Sequence, residues 1–257
     1  MVHNLSEDST SGQFFDPKSF YEHEGLIARR YDSTNFWERR YHQKKVAIVH
    51  SVMDSIVPQD KLILDVGSGT GELSILAQDL GGHVVSLDIS RSYLSRLRGP
   101  IKNRVCASSD YLPFKSNVFD IVLSADVIEH LPAYDKAITE LYRVSLDIVV
   151  ITTPCNGVTR RIYGKLFPKK LTYWDNKVGH LIILSLPELR QHLSKPNWAL
   201  SCRSYHVIQP VVDNFFSKRM SGVVSLCEKI ANAFLPSMGT ISLAIAIREH
   251  NPSNPSD

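Results

Sequence analysis

Apolar and polar positions along this chain fall into blocks that switch between strand and helix spacing. Leu62-Ile63-Leu64-Asp65-Val66 is a short apolar run closed by glycines, the pattern of a buried parallel strand. Leu73, Leu76, Ala77 and Leu80 then mark one helix face, and Gly81-Gly82 stops it. His83–Leu87 reads as a second strand ending at Asp88, with a helix from Ser90 towards Leu97. Arg104–Ala107 and Phe119–Leu123 are further strands, the latter followed by a turn and a short helix through Ile128. A helix from about Ala133 to Val144 carries Tyr134, Ala137, Ile138, Leu141 and Val144 on one side. Asp147–Thr152 is a fifth strand, stopped by Pro154.

Strands alternating with helices at this spacing imply parallel βαβ units and a doubly wound sheet. Such sheets bind ligands beyond the carboxyl ends of their strands. Candidate site residues are therefore Asp65 to Gly71, Asp88, Ser108 to Asp110, Ser124 to Asp126, and Thr153 to Asn156.

The remaining chain is less regular. Residues 1–20 read as a flexible lead-in, and 21–56 as an N-terminal cap that turns helical and mixes arginines and lysines with aromatics. Residues 157–180 read as an irregular basic and aromatic insertion. Leu186–Leu193 is a predicted helix, and Leu200–Ile208 and Thr240–Ile247 are predicted strands. Between those strands, Val223, Cys227, Ile230 and Phe234 step by four, three and four, an amphipathic helix stripe. With Lys218 and Arg219 at one end, the 210–236 segment fits a lid packed on the sheet edge or a helix on an anionic lipid surface. The lid is the expected role. Residues 251–257 read as a disordered tail after one domain over 21–250.

Composition narrows the class. The 257 residues carry 29 Lys and Arg against 26 Asp and Glu, a net +3, too balanced for a nucleic-acid coat, so no nucleic-acid partner is expected. The cysteines, Cys106, Cys155, Cys202 and Cys227, are scattered without a C-x-x-C pair, which suits a reducing compartment. The polar start MVHNLSEDSTSG lacks a secretory pattern, and the apolar runs are strand-length. A cytoplasmic protein is expected, with peripheral membrane contact as a variant.

Asp65-Val-Gly67-Ser-Gly69-Thr-Gly71 sits directly between a strand and a helix. Small residues let the backbone turn sharply beside a ligand and present helix amides to its polar end. Asp88, ending the next strand, is placed to accept both hydroxyls of a ribose. The dinucleotide fingerprint is G-x-G-x-x-G. Here the spacing is G-x-G-x-G, with an acid two residues before the first glycine.

That block resembles motif I of the class I S-adenosylmethionine (SAM)-dependent methyltransferases. Ser108-Ser-Asp-Tyr-Leu112-Pro113-Phe114 followed by Phe119-Asp120-Ile-Val, Ala125-Asp126-Val-Ile-Glu129-His130-Leu131, and Gly179-His180-Leu181 resemble further blocks of its ubiquinone/menaquinone-biosynthesis-like (type 11) group. The resemblance implies a mostly parallel seven-stranded Rossmann-like sheet, with Thr240–Ile247 antiparallel near the edge and helical cap insertions. It implies that Asp65, Gly67, Ser68 and Gly69 border the methionine part of SAM. Asp88 would hold the ribose, and Ile89 would pack on the adenine. Ser108 and Ser109 would meet the adenine edge, where relatives often have an acid; Asp110 is the alternative. Ala125 would lie beside the sulfonium, and Tyr31 and Arg40 of the cap complete the expected cofactor set.

Methyl transfer from a sulfonium is an in-line displacement that needs donor and acceptor held in register. A hydroxyl acceptor also loses a proton, for which His130 and His180 are the candidate bases. Asp126, Glu129 and His130 share a face if helical and can bind a divalent metal, but bracing of the strand–helix junction is the expected role. The expectation is methyl transfer from SAM to a small or lipid-like acceptor at oxygen or carbon, with S-adenosylhomocysteine as product. A nicotinamide-dependent oxidoreductase and a SAM-binding regulatory protein without transfer activity are the rivals. The N-terminal cap, 157–180 and 218–235 are expected to close the acceptor pocket.

Overall fold

The seven strands are β1 (Leu62–Val66), β2 (His83–Asp88), β3 (Asn103–Cys106), β4 (Phe119–Ala125), β5 (Ser145–Pro154), β6 (Trp198–Tyr205) and β7 (Ile241–Arg248). They form one sheet in the order β3-β2-β1-β4-β5-β7-β6. β1 to β5 pair in parallel, and β7 runs antiparallel between β5 and β6. This is the doubly wound, mostly parallel sheet that the alternation of strands and helices predicts. The structure, a computed structural model, describes residues 36–56, 59–97, 99–207, 220–235 and 238–249. The expected lead-in, Tyr31, residues 208–219 with Lys218 and Arg219, and the tail lie outside the described residues.

Period-two alternation on the strands fills both sides of the sheet. On one side Leu64, Val66, Val122 and Ile151 pack against Ile138 and Leu141 of α4 (Tyr134–Val144) and Leu189 and Leu193 of α7 (Leu186–Leu193). On the other, Ile63, Ile121, Leu123 and Val150 meet Val49 and Met53 of α1 (Phe36–Ile56) and Leu73 and Ala77 of α2 (Glu72–Asp79). A short helix, α3 (Arg91–Ser95), follows β2, with Ser90 Oγ accepting from Tyr93 N. Arg143 ties down the loop before β4, donating to Leu112 O at 3.0 Å and Phe114 O at 2.8 Å.

Two expectations need correction. Residues 157–180 are not irregular: they form α5 (Val158–Leu166) and α6 (Pro168–Val178). Pro168 occupies the first turn of α6, and Gly179 ends it with φ 75°. The clean apolar periodicity is missing because many of their apolar side chains face outward among lysines and arginines. Equally, α8 (Ser221–Phe234) does not bury the stripe Val223, Cys227, Ile230 and Phe234, whose residues are exposed. Its inward residues are Val224 and Glu228.

Burial of Glu228 is explained by α1. Arg40 grips it with two guanidinium hydrogen bonds of 2.9 and 2.7 Å, and Lys44 joins them. A salt bridge, not an apolar seam, therefore carries much of the contact between α1 and α8. Breaking one partner of a buried pair leaves an uncompensated charge, at roughly 3–5 kcal/mol. Glu228→Ala is expected to lower the thermal midpoint markedly, whereas Val223→Ala on the exposed face leaves it nearly unchanged. Calorimetric melts of the two variants check this; equal midpoints would show that the pair holds nothing.

Candidate active site

The site is built where β1, β2 and β4 end. Gly67 has φ 71°, and a Cβ there would overlap Val127 Cγ2, so only glycine lets the turn pass. Gly67 N and Ser68 N both donate to Leu87 O, at 2.8 and 3.0 Å. Asp88 is clamped by two amides: Gly69 N donates to Oδ2 and Ser90 N to Oδ1, each at 2.8 Å. The β1 turn is thereby locked to the tip of β2, and the Asp88 carboxylate is held in one orientation.

Two adjoining cavities open over these tips. The first is lined by Asp65, Ser68, Gly69, Ala125 and Thr152, with His42 and Lys45 reaching in from α1. The second is lined by Leu87, Asp88, Ile89, Ala107, Ser108 and Ser109. Gly67, Asp126 and His130 border both. Ser68 Oγ is buried without a hydrogen-bond partner among the described residues. Asp110 stands behind Ser108, accepting its hydroxyl, and is not among the lining residues.

Burial sets the electrostatics. Desolvation pushes the Asp65 carboxyl up to about 7, against a hydrogen bond of 2.6 Å from Ser74 Oγ. Burial would raise Asp126 too, but the charge and hydrogen bond of Lys45 hold it below the ordinary carboxylate value. Asp126 has φ 55°, a left-handed conformation that aspartate tolerates better than most residues. Glu129 is raised well above the usual range by burial and then by the charge of Asp126.

Glu129 and the two histidines form a buried group. Thr153 Oγ1 donates to Glu129 Oε2 at 3.0 Å, and the Glu129 carbonyl accepts from Leu181 N and Ile182 N at 2.8 and 3.2 Å. Glu129 Oε1 has no hydrogen-bond partner among the described residues and lies 3.9 Å from His130 Nε2. His130 Nδ1 faces Gly179 O at 2.9 Å; a carbonyl only accepts, so Nδ1 carries the proton. His180 is lowered by burial despite Asp175 Oδ1 at 3.3 Å from its Nδ1. The two imidazoles are 5.0 Å apart.

The structure thus gathers Asp65, Gly67, Ser68, Gly69, Asp88, Ile89, Ser108, Ser109 and Ala125 around the two cavities. Arg40 is a correction: it pairs with Glu228 and does not line either cavity. His42 and Lys45, further along the same helix, take that place. The sequence signal was present, since His42, Lys45 and Val49 recur at helical spacing, but a basic helix does not announce which cation turns inward. The metal-ligand set also differs from the expected one. Lys45 takes Asp126, and among the described residues the group with ligand atoms within 4.8 Å of one another is Glu129, His130 and His180. The 3-10 turn Ile128–His130, in place of a full helix, sets these directions. Among the described residues, α5, α6 and α8 contribute nothing to the linings of these two cavities, which is not the closing role expected of 157–180 and 218–235.

Comparison with known proteins agrees with this geometry. Residues 64–146 match the family described as methyltransferase domain. An uncharacterised protein of Methanocaldococcus jannaschii is 36% identical over 135 residues, 49% of this chain and 58% of that one. The ubiquinone/menaquinone biosynthesis C-methyltransferase of Wigglesworthia glossinidia brevipalpis is 32% identical over 120 residues, 40% of this chain and 48% of that one. The chain thus spans about half the length of these relatives. Among solved structures, magnesium protoporphyrin IX methyltransferase from Synechocystis, with bound S-adenosylhomocysteine, aligns at a TM-score of 0.63 and 17% identity, covering 90% of this chain and 98% of that one. Residues 64–146 thus match a methyltransferase domain, and the sheet around them has the fold of that SAM-dependent enzyme class.

Proposed function

We propose that this chain transfers the methyl group of SAM to a small or lipid-like acceptor, at oxygen or carbon. The carrying observation is the pair of cavities joined at Gly67, one edged by Asp65, Lys45 and Ser68 and the other by Leu87, Ile89 and Ala107. That division fits a ligand with a zwitterionic end and a flat apolar end. Ser68 Oγ, buried and without a partner among the described residues, has an unmet hydrogen bond that the polar end can satisfy.

In this reading Asp65 and the Gly67–Gly69 backbone receive the amino-acid end. Asp88, held in one orientation by two amides, presents its carboxylate to the ribose hydroxyls. Ile89 packs on the adenine, with Ser108 and Ser109 at its edge. The bound cofactor supplies a methyl group on a cationic sulfur and leaves as S-adenosylhomocysteine. His130 borders both cavities, so its imidazole meets an acceptor held at their junction. With Nδ1 donating to Gly179 O, Nε2 is the nitrogen able to take the acceptor's proton. His180, the other candidate base, lines neither cavity and faces Asp175, with its ring beside that of His130.

Three sets of measurements test this reading, the first on cofactor and product. Asp88→Ala removes charge-assisted hydrogen bonds worth roughly 1.5–3 kcal/mol. Calorimetry is expected to show SAM affinity falling about tenfold or more by that arithmetic; unchanged affinity in a folded variant would overturn the cofactor assignment. Methylated product from an acceptor panel separates an enzyme from a SAM-binding protein without transfer.

The second measurement concerns protons. Without cofactor the Asp65 carboxyl titrates at about 7, because burial penalises its charge. An ammonium beside it favours the ionised form and lowers that value. SAM binding is therefore expected to release a proton near neutral pH and to tighten as pH rises through 7. Titrations in buffers of different ionisation heat read this directly, and Asp65→Asn is expected to abolish the proton release.

The third concerns the Glu129 group. Thr153 and the 181–182 amides make Glu129 a brace between the β5 tip and the segment after α6. Chelation is expected to leave activity unchanged, while Glu129→Ala lowers the melting temperature. Activity lost to a chelator and restored by Mg²⁺ or Mn²⁺ would assign the group to an ion instead.

A further inference from the structure

We propose that α5, α6 and the outer face of α8 form a docking surface for an anionic lipid membrane. The surface lies apart from the two cavities over the strand tips, to whose lining these helices contribute nothing among the described residues, while Val158 and Arg161 edge a separate cleft beside Leu186. It goes beyond the methyltransferase reading and does not depend on it.

Exposed apolar side chains concentrate on these helices. On α8, Val223, Leu226, Ile230 and Phe234 face outward at helical spacing, Phe234 with 78% of its surface exposed. On α5 and α6 and their junction, Ile162, Leu166, Phe167 and Tyr173 do the same, Leu166 at 66%. Single exposed apolar residues are ordinary, but rows of them mark an interaction surface. The start of α5 meets the chain that follows α8. Thr159 Oγ1, in the first turn of α5, donates to Met238 O at 3.3 Å, just beyond α8. Gly157 abuts the Gly239 and Met238 carbonyls so closely that a Cβ would not fit.

Charge names the occupant. Arg161, Lys165, Lys169 and Lys170 are exposed among those apolar side chains. The one carboxylate in the sequence of α5 and α6, Asp175, is taken inward by Arg160 and His180. The outer surface therefore pairs apolar tips with cations alone, the composition of an interfacial helix on anionic lipid. A second copy fits less well, because a two-fold contact would set this basic surface against itself. Nucleic acid would answer the cations but gives no reward for Leu166, Val223 or Ile230. A fluid acyl boundary accepts uneven protruding side chains without a complementary groove. Among the described residues, no helix is long and apolar enough to cross a membrane, so the contact is peripheral.

Vesicle flotation of the full chain tests this, with phosphatidylcholine alone and with phosphatidylcholine containing phosphatidylglycerol. Partitioning is expected to be roughly tenfold or more stronger on the anionic vesicles, and to weaken with salt. A Lys165→Glu, Lys169→Glu, Lys170→Glu variant is expected to lose the anionic preference. A Leu166→Ser, Phe167→Ser, Ile230→Ser, Phe234→Ser variant is expected to lose binding at every salt concentration. All these side chains are exposed, and an unchanged circular dichroism spectrum and thermal midpoint of each variant serve as the folding control. No flotation, equal partitioning on both vesicles, or variants that bind like the parent would overturn the proposal. So would a dimer by light scattering that the apolar variant turns monomeric. Vesicle binding by a chain that fails to bind SAM would count against the methyltransferase reading alone.

Discussion

No side chain fits between Gly67 and Val127, and the backbone at Gly67 takes a left-handed φ of 71° to pass there. That close approach brings the ends of β1 and β4 together, while the amides that follow reach across to Leu87 and Asp88 at the end of β2. A parallel sheet leaves its strand ends with backbone groups to satisfy, and here the turn satisfies them between strands. Both cavities border on Gly67, so their common floor follows from the same constraint. A larger residue at this one position would push β1 and β4 apart and remove the floor.

Around that floor the protein buries charge deliberately. Lys45 meets Asp126 over the first cavity, Arg160 meets Asp175 behind His180, and Arg40 meets Glu228 between α1 and α8. Buried pairs give little net stability compared with apolar packing, because desolvation offsets their attraction. They do fix direction. Each joins a helix outside the central sheet to a defined partner, which keeps the helical shell in register where apolar contacts are few.

The sheet was legible in the sequence because its signals are local. Leu62–Val66 and His83–Leu87 are apolar runs closed by a glycine and a carboxylate, Phe119–Leu123 is one that leads into a turn, and each becomes a strand of the parallel core. The site candidates at the strand ends were legible for the same reason: topology puts them there whatever the helices do. The inward turn of Arg40, the regular helices α5 and α6, and the orientation of α8 were not legible, although the α8 stripe itself marks its helix. On α5 and α8 a charged residue turns inward, Arg160 and Glu228, while apolar residues such as Leu166 and Phe234 face out, the reverse of what a hydrophobic stripe implies. Glu228 inside and Phe234 outside cannot be read from spacing, because spacing marks a face without saying which way it points. Asp126 shows a related limit. Its place at i, i+3, i+4 with Glu129 and His130 presumed a helix, but the left-handed turn at Asp126 sends its carboxylate to Lys45 instead.

The Arg40–Glu228 contact joins positions 188 residues apart. A clasp between such distant parts of a chain rewards closure only after the intervening strands are in place, so it belongs to the late steps of assembly. By the same token it opens ahead of the core on the way back. Partial opening of a native protein follows the contacts that cost least to release, and those at α1 are a few charged groups and a short apolar row. Release of that clasp frees the helix that carries His42 and Lys45 over the first cavity. Hydrogen exchange would then find the amides of α1 protected less than those of β1 and β4, and the slowest-formed contact of the fold would be the doorway to its floor.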